Sequence, residues 1–359
     1  MRILDRYIAG RLVKGYGTVM LFLLSMFSFL ALIQELDQVG KGSYRVVDAL
    51  QYIAFTIPQR IIDLAPTAAL LGSILGIEVL SRGSELVAMR AAGISMYSFS
   101  CSVGKLVFVI VTGTALFMQF VVPPSVQYAE KERVSSQTSK KRRTIGDRGI
   151  WVRDDHQVLH IGSMWQGQVP TGLELYKYDS RGALTNYIQA NRADVGGNDE
   201  WELKGVREKI IKDGYLIQQH HLSMKWESFL RKNQLELLQS SAESLSISSL
   251  YQYIHYLRDT GQKSDRIELT FWKKIIMPLS IATLAMLGVP LGFTQHRPNI
   301  ARQLTFGACI GILYFLLNEI STSIGLLSGF SPPLIAAFPL MAVISLSCYL
   351  FWRVSTNIR

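Results

Sequence analysis

The sequence predicts an α-helical membrane protein with six transmembrane helices and one all-β domain inserted between the third and the fourth. Three observations carry that reading. The 359 residues are 49% hydrophobic, with mean hydropathy +0.21 and only 18% charged, against roughly 25% charged in soluble domains. Apolar runs recur six times at the length a bilayer demands, because a hydrocarbon core of about 30 Å takes about 20 residues of helix. Between the third and fourth runs lies a long polar stretch whose pattern alternates as strands do.

Four runs are free of charge from end to end: Gly15 to Ile33, Leu106 to Val122, Ile275 to Thr294 and Leu334 to Trp352. A fifth, Leu304 to Asn318, continues past Glu319 through Ile320 to Phe330. The remaining run, Ala49 to Ile77, carries Arg60 and Asp63 between Pro58 and Pro66. It reads as a helix entering at a slant, its membrane part beginning near Leu64 and ending near Leu80. A cleavable signal peptide is not expected, since the first run lacks a small-residue cleavage site and further spans follow it.

Basic residues in short connections stay in the cytoplasm. Arg2, Arg6, Arg11 and Lys14 precede span one, Arg82 and Arg90 lie between spans two and three, Arg297 and Arg302 between four and five, and Arg353 and Arg359 follow six. All fall on one side. The other side has Lys41 and Arg45 against Glu35, Asp37 and Asp48, and no charge from Gly325 to Pro333. Both termini are therefore expected in the cytoplasm and the insert outside. The net charge of +10 is placed by this pattern at span ends, so nucleic acid is not an expected partner.

Within the insert, strands are expected at Gly149–Ile161, Leu173–Asp179, Ala183–Ala190, Trp201–Ile211 and Tyr215–Trp226. Turn residues separate these short alternating segments, which fits a small β-sandwich or jellyroll. After them Ser246 can cap a helix reaching about Thr260, with Ile247, Leu250, Ile254 and Leu257 on one face and Gly261 as its stop. That helix can lie on the membrane surface or pack on the β-domain. The expected division is residues 1–125 for spans one to three, 126–243 for the β-domain and 244–359 for the connecting helix and spans four to six.

Catalytic and cofactor signatures are missing from the sequence. No GxxxxGK[ST] phosphate loop, HExxH or GxSxG is found, so no cofactor is expected in this chain. Cys101, Cys309 and Cys348 sit in or beside apolar runs with no CxxC spacing, arguing against disulfides and zinc. His220 and His221 are adjacent on a predicted strand, where successive side chains face opposite ways, so a shared metal is not expected. Glu319, near a span end, reads either as a packing or interface carboxylate or as a functional one.

One cytoplasmic connection, residues 80–95, stands apart. It forms a short helix with Ser84 as cap, Arg82, Glu85 and Arg90 as its charges, Leu86, Val87 and Met89 as its apolar residues, and Gly83 and Gly93 at its bounds. Such a segment reads either as suited to docking into a partner's groove or as a simple solvated connector.

The run Ser84-Glu85-Leu86-Val87-Ala88-Met89-Arg90-Ala91-Ala92-Gly93 resembles the SELxxMxAxG coupling segment of the lipopolysaccharide export permeases, the LptF/LptG family. Agreement extends to Leu4-Asp5-Arg6-Tyr7-Ile8, Asp37-Gln38 with Gly42-Ser43-Tyr44, Pro66 to Leu75, Leu245-Ser246-Ile247 with Tyr253-Ile254 and Leu257, Trp272-Lys273-Lys274, and Pro278-Leu279. The LDRYI opening and the ELVAM form of the coupling segment fit the LptG branch better than LptF. The resemblance runs nearly end to end. It implies a multi-pass permease of the bacterial inner membrane, its β-jellyroll in the periplasm, with no catalytic activity of its own.

It further implies an LptF-like permease partner, an LptB ATPase dimer below, LptC, and an LptA bridge that receives lipopolysaccharide. Under it, Arg82, Glu85, Leu86, Met89, Arg90 and Gly93 form the ATPase-coupling segment. Lys41, Arg45 and Arg133 face the substrate head group, where cations suit phosphates. Leu32 in span one and Phe306, Ile310, Leu313 and Leu317 in span five line the lateral openings. The Lys140-Lys141-Arg142-Arg143 run reads either as head-group contact or as a solvated loop. Gln34 and Glu35 depart from the family, members of which carry a basic residue at the outer end of span one. Two other classes compete with this reading: a membrane-bound enzyme modifying envelope glycans, and a permease of a lipoprotein-release or efflux system. The first would need convergent acids or histidines in a pocket. The second usually has fewer spans and an external domain placed differently.

Overall fold

The computed structural model describes residues 3–83, 85–93, 96–137, 149–154, 156–165, 169–179, 181–195, 200–212, 215–229, 241–259, 261–293 and 300–357. The chain begins with helices α1 (Ile3–Leu36), α2 (Val46–Arg82), α3 (Glu85–Ala91), α4 (Met96–Phe120) and α5 (Val122–Gln137). Strands β1 (Ile150–Arg153), β2 (Gln157–Trp165), β3 (Val169–Tyr178), β4 (Leu184–Val195), β5 (Glu200–Lys212) and β6 (Tyr215–Glu227) follow. A 3₁₀ turn at Ala242–Ser244 then leads to α6 (Ile247–Asp259), α7 (Asp265–Phe293), α8 (Ile300–Ser328) and α9 (Pro332–Asn357). Among the described residues six helical stretches are long and apolar enough to cross a membrane: α1, α2, α4 running into α5, α7, α8 and α9.

The spans are unequally buried, and this decides which of them are central. In their most apolar windows α2 is 67% buried and α7 56%, whereas α1 and α8 are each 11%. Lipid offers no hydrophobic force to bring helices together, so close approach depends on small residues. At the α1–α2 crossing, a Cβ on Gly15 would stand 2.4 Å from the Gly72 carbonyl oxygen, and one on Gly72 would stand 2.5 Å from the Tyr16 Cα. The backbones touch there. Ile8 and Leu12 below the crossing and Met20 above it are buried against the same core. Helix α8 reaches α2 in a similar way, with Gly307 over Ile74 and Gly311 over Thr67.

Helix α2 continues unbroken through Pro58 and Pro66. Proline removes one backbone donor and crowds the preceding turn, so the intervening charges, not a helix end, made this run look irregular. Glu78 and Arg82 then close its C-terminal end as an i,i+4 pair at 3.1 Å.

The strands form one antiparallel sheet in sequence order, β1 to β6. The segment Gly149–Ile161, expected as a single strand, is split into β1 and the start of β2 by a tight turn in which Asp154 and Gln157 exchange backbone hydrogen bonds. The sheet rolls upon itself: the Trp226 indole of β6 donates to Gln157 Oε1 on β2 at 3.3 Å, although these strands are not neighbours. Alternate residues, among them Leu159, Ile161, Leu173, Leu175, Ile188 and Ala190, fill the enclosed face around Trp201 and Leu203, as the two-residue period of a strand requires. Outside, Trp151, His160, Tyr176 and Tyr187 stack across β1–β4. Burial and the hydrogen bond to Glu174 push the Tyr176 phenol up to about 12.

Ser246 caps α6, its hydroxyl accepting from the Ser249 amide at 3.1 Å, and Gly261 ends the segment at φ +66°. Leu250, Ile254 and Leu257 are buried as the spacing predicts. Of the two placements open from sequence, α6 packs Tyr256 onto the β-core, while its Arg258 pairs with Glu268 at the start of α7 at 2.9 Å.

Candidate functional site

Three features of the bundle are candidates: a cluster at each end of α1, and a cavity among the central spans. Near the N-terminal (inner) end of α1, named inner only by the expected topology, Glu85 opens α3. The Tyr7 hydroxyl lies 2.8 Å from both of its carboxylate oxygens, and Arg11 Nη2 lies 3.3 Å from Oε1 and donates to the Tyr7 oxygen at 2.8 Å. Tyr7 and Arg11 fall one turn apart on α1 and so share a face. The short helix between spans two and three is thereby tied to span one. Nearby, the buried Asp5 pairs with Lys105 at 2.8 Å and accepts from Ser102, fastening α1 to α4.

At the outer end, Glu35 is 5% exposed. A buried carboxylate needs partners, and it has two. The Tyr44 hydroxyl donates to it at 2.9 Å, and Arg133 Nε lies 2.8 Å away. Burial, reinforced by Glu35, holds the Tyr44 phenol well above its ordinary value, so it remains a donor. The Arg133 guanidinium lies over the Tyr52 ring, 4.7 Å from its centroid. Ser43 adds two bonds to the Ser136 carbonyl, 2.9 Å from its amide and 2.8 Å from its hydroxyl. The α1–α2 connection is thus fastened to α5, which leads toward the β-domain.

Between α2, α7 and α8 lies a cavity of about 310 Å³ lined by Gln59, Asp63, Lys273, Lys274, Tyr314 and Asn318, among other residues. Asp63 accepts from Gln59 at 2.9 Å, and Lys274 donates to the Glu243 carbonyl at 2.7 Å and to that of Leu245. The last two bonds fix the segment leaving the β-domain to the top of α7.

The residues singled out from sequence fall as follows. Glu85 sits in the inner cluster, Met89 packs against the main helical core, Arg82 is exposed and paired with Glu78, and Gly93 takes φ +82° beyond α3. Backbone positions 86 and 90 lie on α3, while the side chains of Leu86 and Arg90, like Ser84 and the Lys140–Arg143 run, lie outside the described residues. Lys41 is exposed and donates to Gln38 Oε1 at 2.8 Å, Arg45 is exposed ahead of α2, and Arg133 is engaged with Glu35. Leu32 is half-buried on α1. On α8, Phe306 and Leu313 are exposed, Leu317 is half-buried and Ile310 packs against the core beneath. Glu319 is exposed. On β6, His220 lies near Gln218 and His221 near Glu208.

Sequence reasoning missed Tyr7, Arg11, Tyr44 and Tyr52 as partners. Glu35 enters the sequence reading as a charge outside span one and as a departure from the family, not as a buried acid, although an acid at the end of an apolar run is itself a signal that a buried cation is needed.

Comparison with known proteins places these features. Residues 6–353 match the family described as lipopolysaccharide export system permease LptF/LptG. The chain is 30% identical to lipopolysaccharide export system permease protein LptG of Haemophilus influenzae over 319 residues, covering 88% of this chain and 89% of that protein. It is 27% identical to the protein of the same name from Escherichia coli strain K12 over 357 residues, covering 98% and 99%. With the match spanning every membrane helix and the inserted sheet, the chain belongs to the LptF/LptG family of lipopolysaccharide export permeases.

Proposed function

We propose that this chain is the LptG-type permease subunit of a lipopolysaccharide exporter, taking that lipid from the inner membrane and passing it toward the outer membrane. The observation that carries the reading is the family match across residues 6–353, together with close relatives named LptG. The protein is a multi-pass inner-membrane transport subunit and not an enzyme. ATP hydrolysis belongs to a separate LptB-like dimer docked on α3 through Arg82, Glu85, Leu86, Met89, Arg90 and Gly93. Both termini and α3 face the cytoplasm, and the β-domain faces the periplasm, where it meets LptC and the LptA bridge. Neither cofactor nor metal takes part in this chain.

The LptF-like partner covers α1 and α8, the two least buried spans at 11% each. Leu32, Phe306, Ile310, Leu313 and Leu317 line the openings between the two permeases, an apolar route that keeps acyl chains from water. Lys41, Arg45 and Arg133 meet phosphates at the outer rim, as cations with several N–H donors do. Purification of the tagged chain from membranes is expected to bring down an LptF-like permease and an ATPase in stoichiometric amounts. A photo-crosslinking residue at Leu32, Leu313 or Leu317 is expected to capture lipopolysaccharide, with little capture at Leu346 in α9. Equal labelling at all four positions removes the gate assignment. Absence of both partners removes the transporter reading.

A further inference from the structure

We propose that Glu35 determines which lipids release the outer end of α1: it holds the Arg133 guanidinium until a phosphate on the lipid takes its place. This rests on the reading of α1 as one side of a lateral opening.

Helix α1 is held strongly at its inner half, by the glycine crossing and by the Tyr7, Arg11 and Asp5 bonds. From Leu21 to Ile33 its large side chains stand largely exposed, including Leu21, Phe22, Phe29 and Leu30. Glu35, the penultimate residue of α1, is the next buried residue after Met20. Among the described residues the polar ties of this end are the Glu35 bonds to Tyr44 and Arg133, with the Ser43–Ser136 pair beside them, while Leu23 packs against the core below.

The two ends of the ion pair differ in exposure. The Glu35 side chain is 7% exposed and that of Arg133 31%, so the guanidinium offers an open edge to a ligand while the carboxylate does not. A planar guanidinium binds phosphate through two parallel N–H bonds, and a phosphate brings more charge and more acceptor oxygens than a carboxylate. At head-group depth a lipid phosphate is therefore the stronger ligand. Once Arg133 is taken, the Tyr44 hydroxyl is the one hydrogen-bond donor left to buried Glu35 among the described residues, and a buried carboxylate that loses its paired cation is strongly unfavourable. Moving to water relieves it and carries the end of α1 outward. A lipid without phosphate has nothing to offer Arg133 and leaves the end in place.

The test uses the assembled transporter in nanodiscs. Cys101, Cys309 and Cys348 are replaced by serine, and a cysteine pair is introduced by Ser43→Cys and Ser136→Cys to report closure as a disulfide. We expect rapid disulfide formation without lipid, slowed several-fold by lipid A carrying its phosphates and unaffected by lipid A stripped of them. Glu35→Gln should give slow formation that no longer responds to either lipid. Arg133→Lys, which keeps the charge but loses the fork, should close normally and respond weakly. Lipid A captured at Leu32 with no change in disulfide rate, or equal slowing by the stripped lipid, overturns the proposal and leaves the export reading standing. Lipid A that is neither captured at Leu32 nor able to slow closure overturns both.

Discussion

Glu85 shows how a single residue joins two levels of the molecule. It was legible from sequence as the acid of a short cytoplasmic helix, but its partners were not, because Tyr7 and Arg11 lie 78 and 74 residues earlier in the chain. Hydrogen bonds to a charged group contribute about 1.5–3 kcal/mol each where solvent is partly excluded, and Glu85 is about one-third exposed (30%). Tyr7→Phe removes the hydroxyl between Glu85 and α1 while leaving the ring. The expected result is normal recovery of the ATPase with reduced lipid export per ATP hydrolysed, read by parallel hydrolysis and export assays. Glu85→Lys reverses the charge facing Arg11 and is expected to lower ATPase association or uncouple hydrolysis, with the protein still inserted. Normal export by both variants would show that α3 is only a connector.

Among the elements, those fixed by local signals were read most closely. The Ser246 cap, the buried spacing of Leu250, Ile254 and Leu257, and the Gly261 stop define α6 within a turn of sequence. Elements shaped by distant contacts were read less well. The break between β1 and β2 was a local signal passed over, since Arg153-Asp154-Asp155-His156-Gln157 is a polar run, but the rolling of the sheet depends on Trp226 meeting Gln157. The glycine crossing of α1 and α2 belongs to the same class: the glycines are visible in sequence, their facing is not. A methyl group on Gly72 would meet backbone at 2.5 Å, whereas one on Gly17 meets nothing within 4 Å. Gly72→Ala is therefore expected to destabilise by roughly 1–3 kcal/mol, as overpacking does. Gly17→Ala should be neutral or slightly stabilising, since alanine is the better helix former. Thermal unfolding of the purified complex in detergent distinguishes them, and equal behaviour would refute the close approach.

For the whole molecule, six spans and an inserted sheet were readable because hydropathy and strand alternation are properties of composition and period, which need no knowledge of contacts. Sidedness rests on the basic residues of short connections. Reporters fused after Arg359 and within residues 82–90 are expected to read as cytoplasmic, and one at Gly196-Gly197 as external. An external reading at Arg359 defeats the assigned topology. What hydropathy could not supply was the unequal burial of the spans, since α1 and α8 are as apolar as the central helices and differ only in what lies against them.

The crossing at Gly15 divides α1 unevenly. At about 1.5 Å of rise per residue, roughly 12 Å separates Tyr7 from Gly15 and roughly 30 Å separates Gly15 from Glu35. A stiff rod turning about that point has a short arm beside α3 and a long arm ending at Glu35. Displacing the short arm by about 1 Å sweeps the long one through about 2.5 Å, by the same rise. The glycines fix this ratio, because they bring the backbones of α1 and α2 together over the one stretch from Arg11 to Tyr16, closest at Gly15 and Gly72. Shifting the contact one turn toward Glu35 would nearly halve the mechanical gain while leaving the Tyr7–Glu85 and Glu35–Arg133 clusters unchanged.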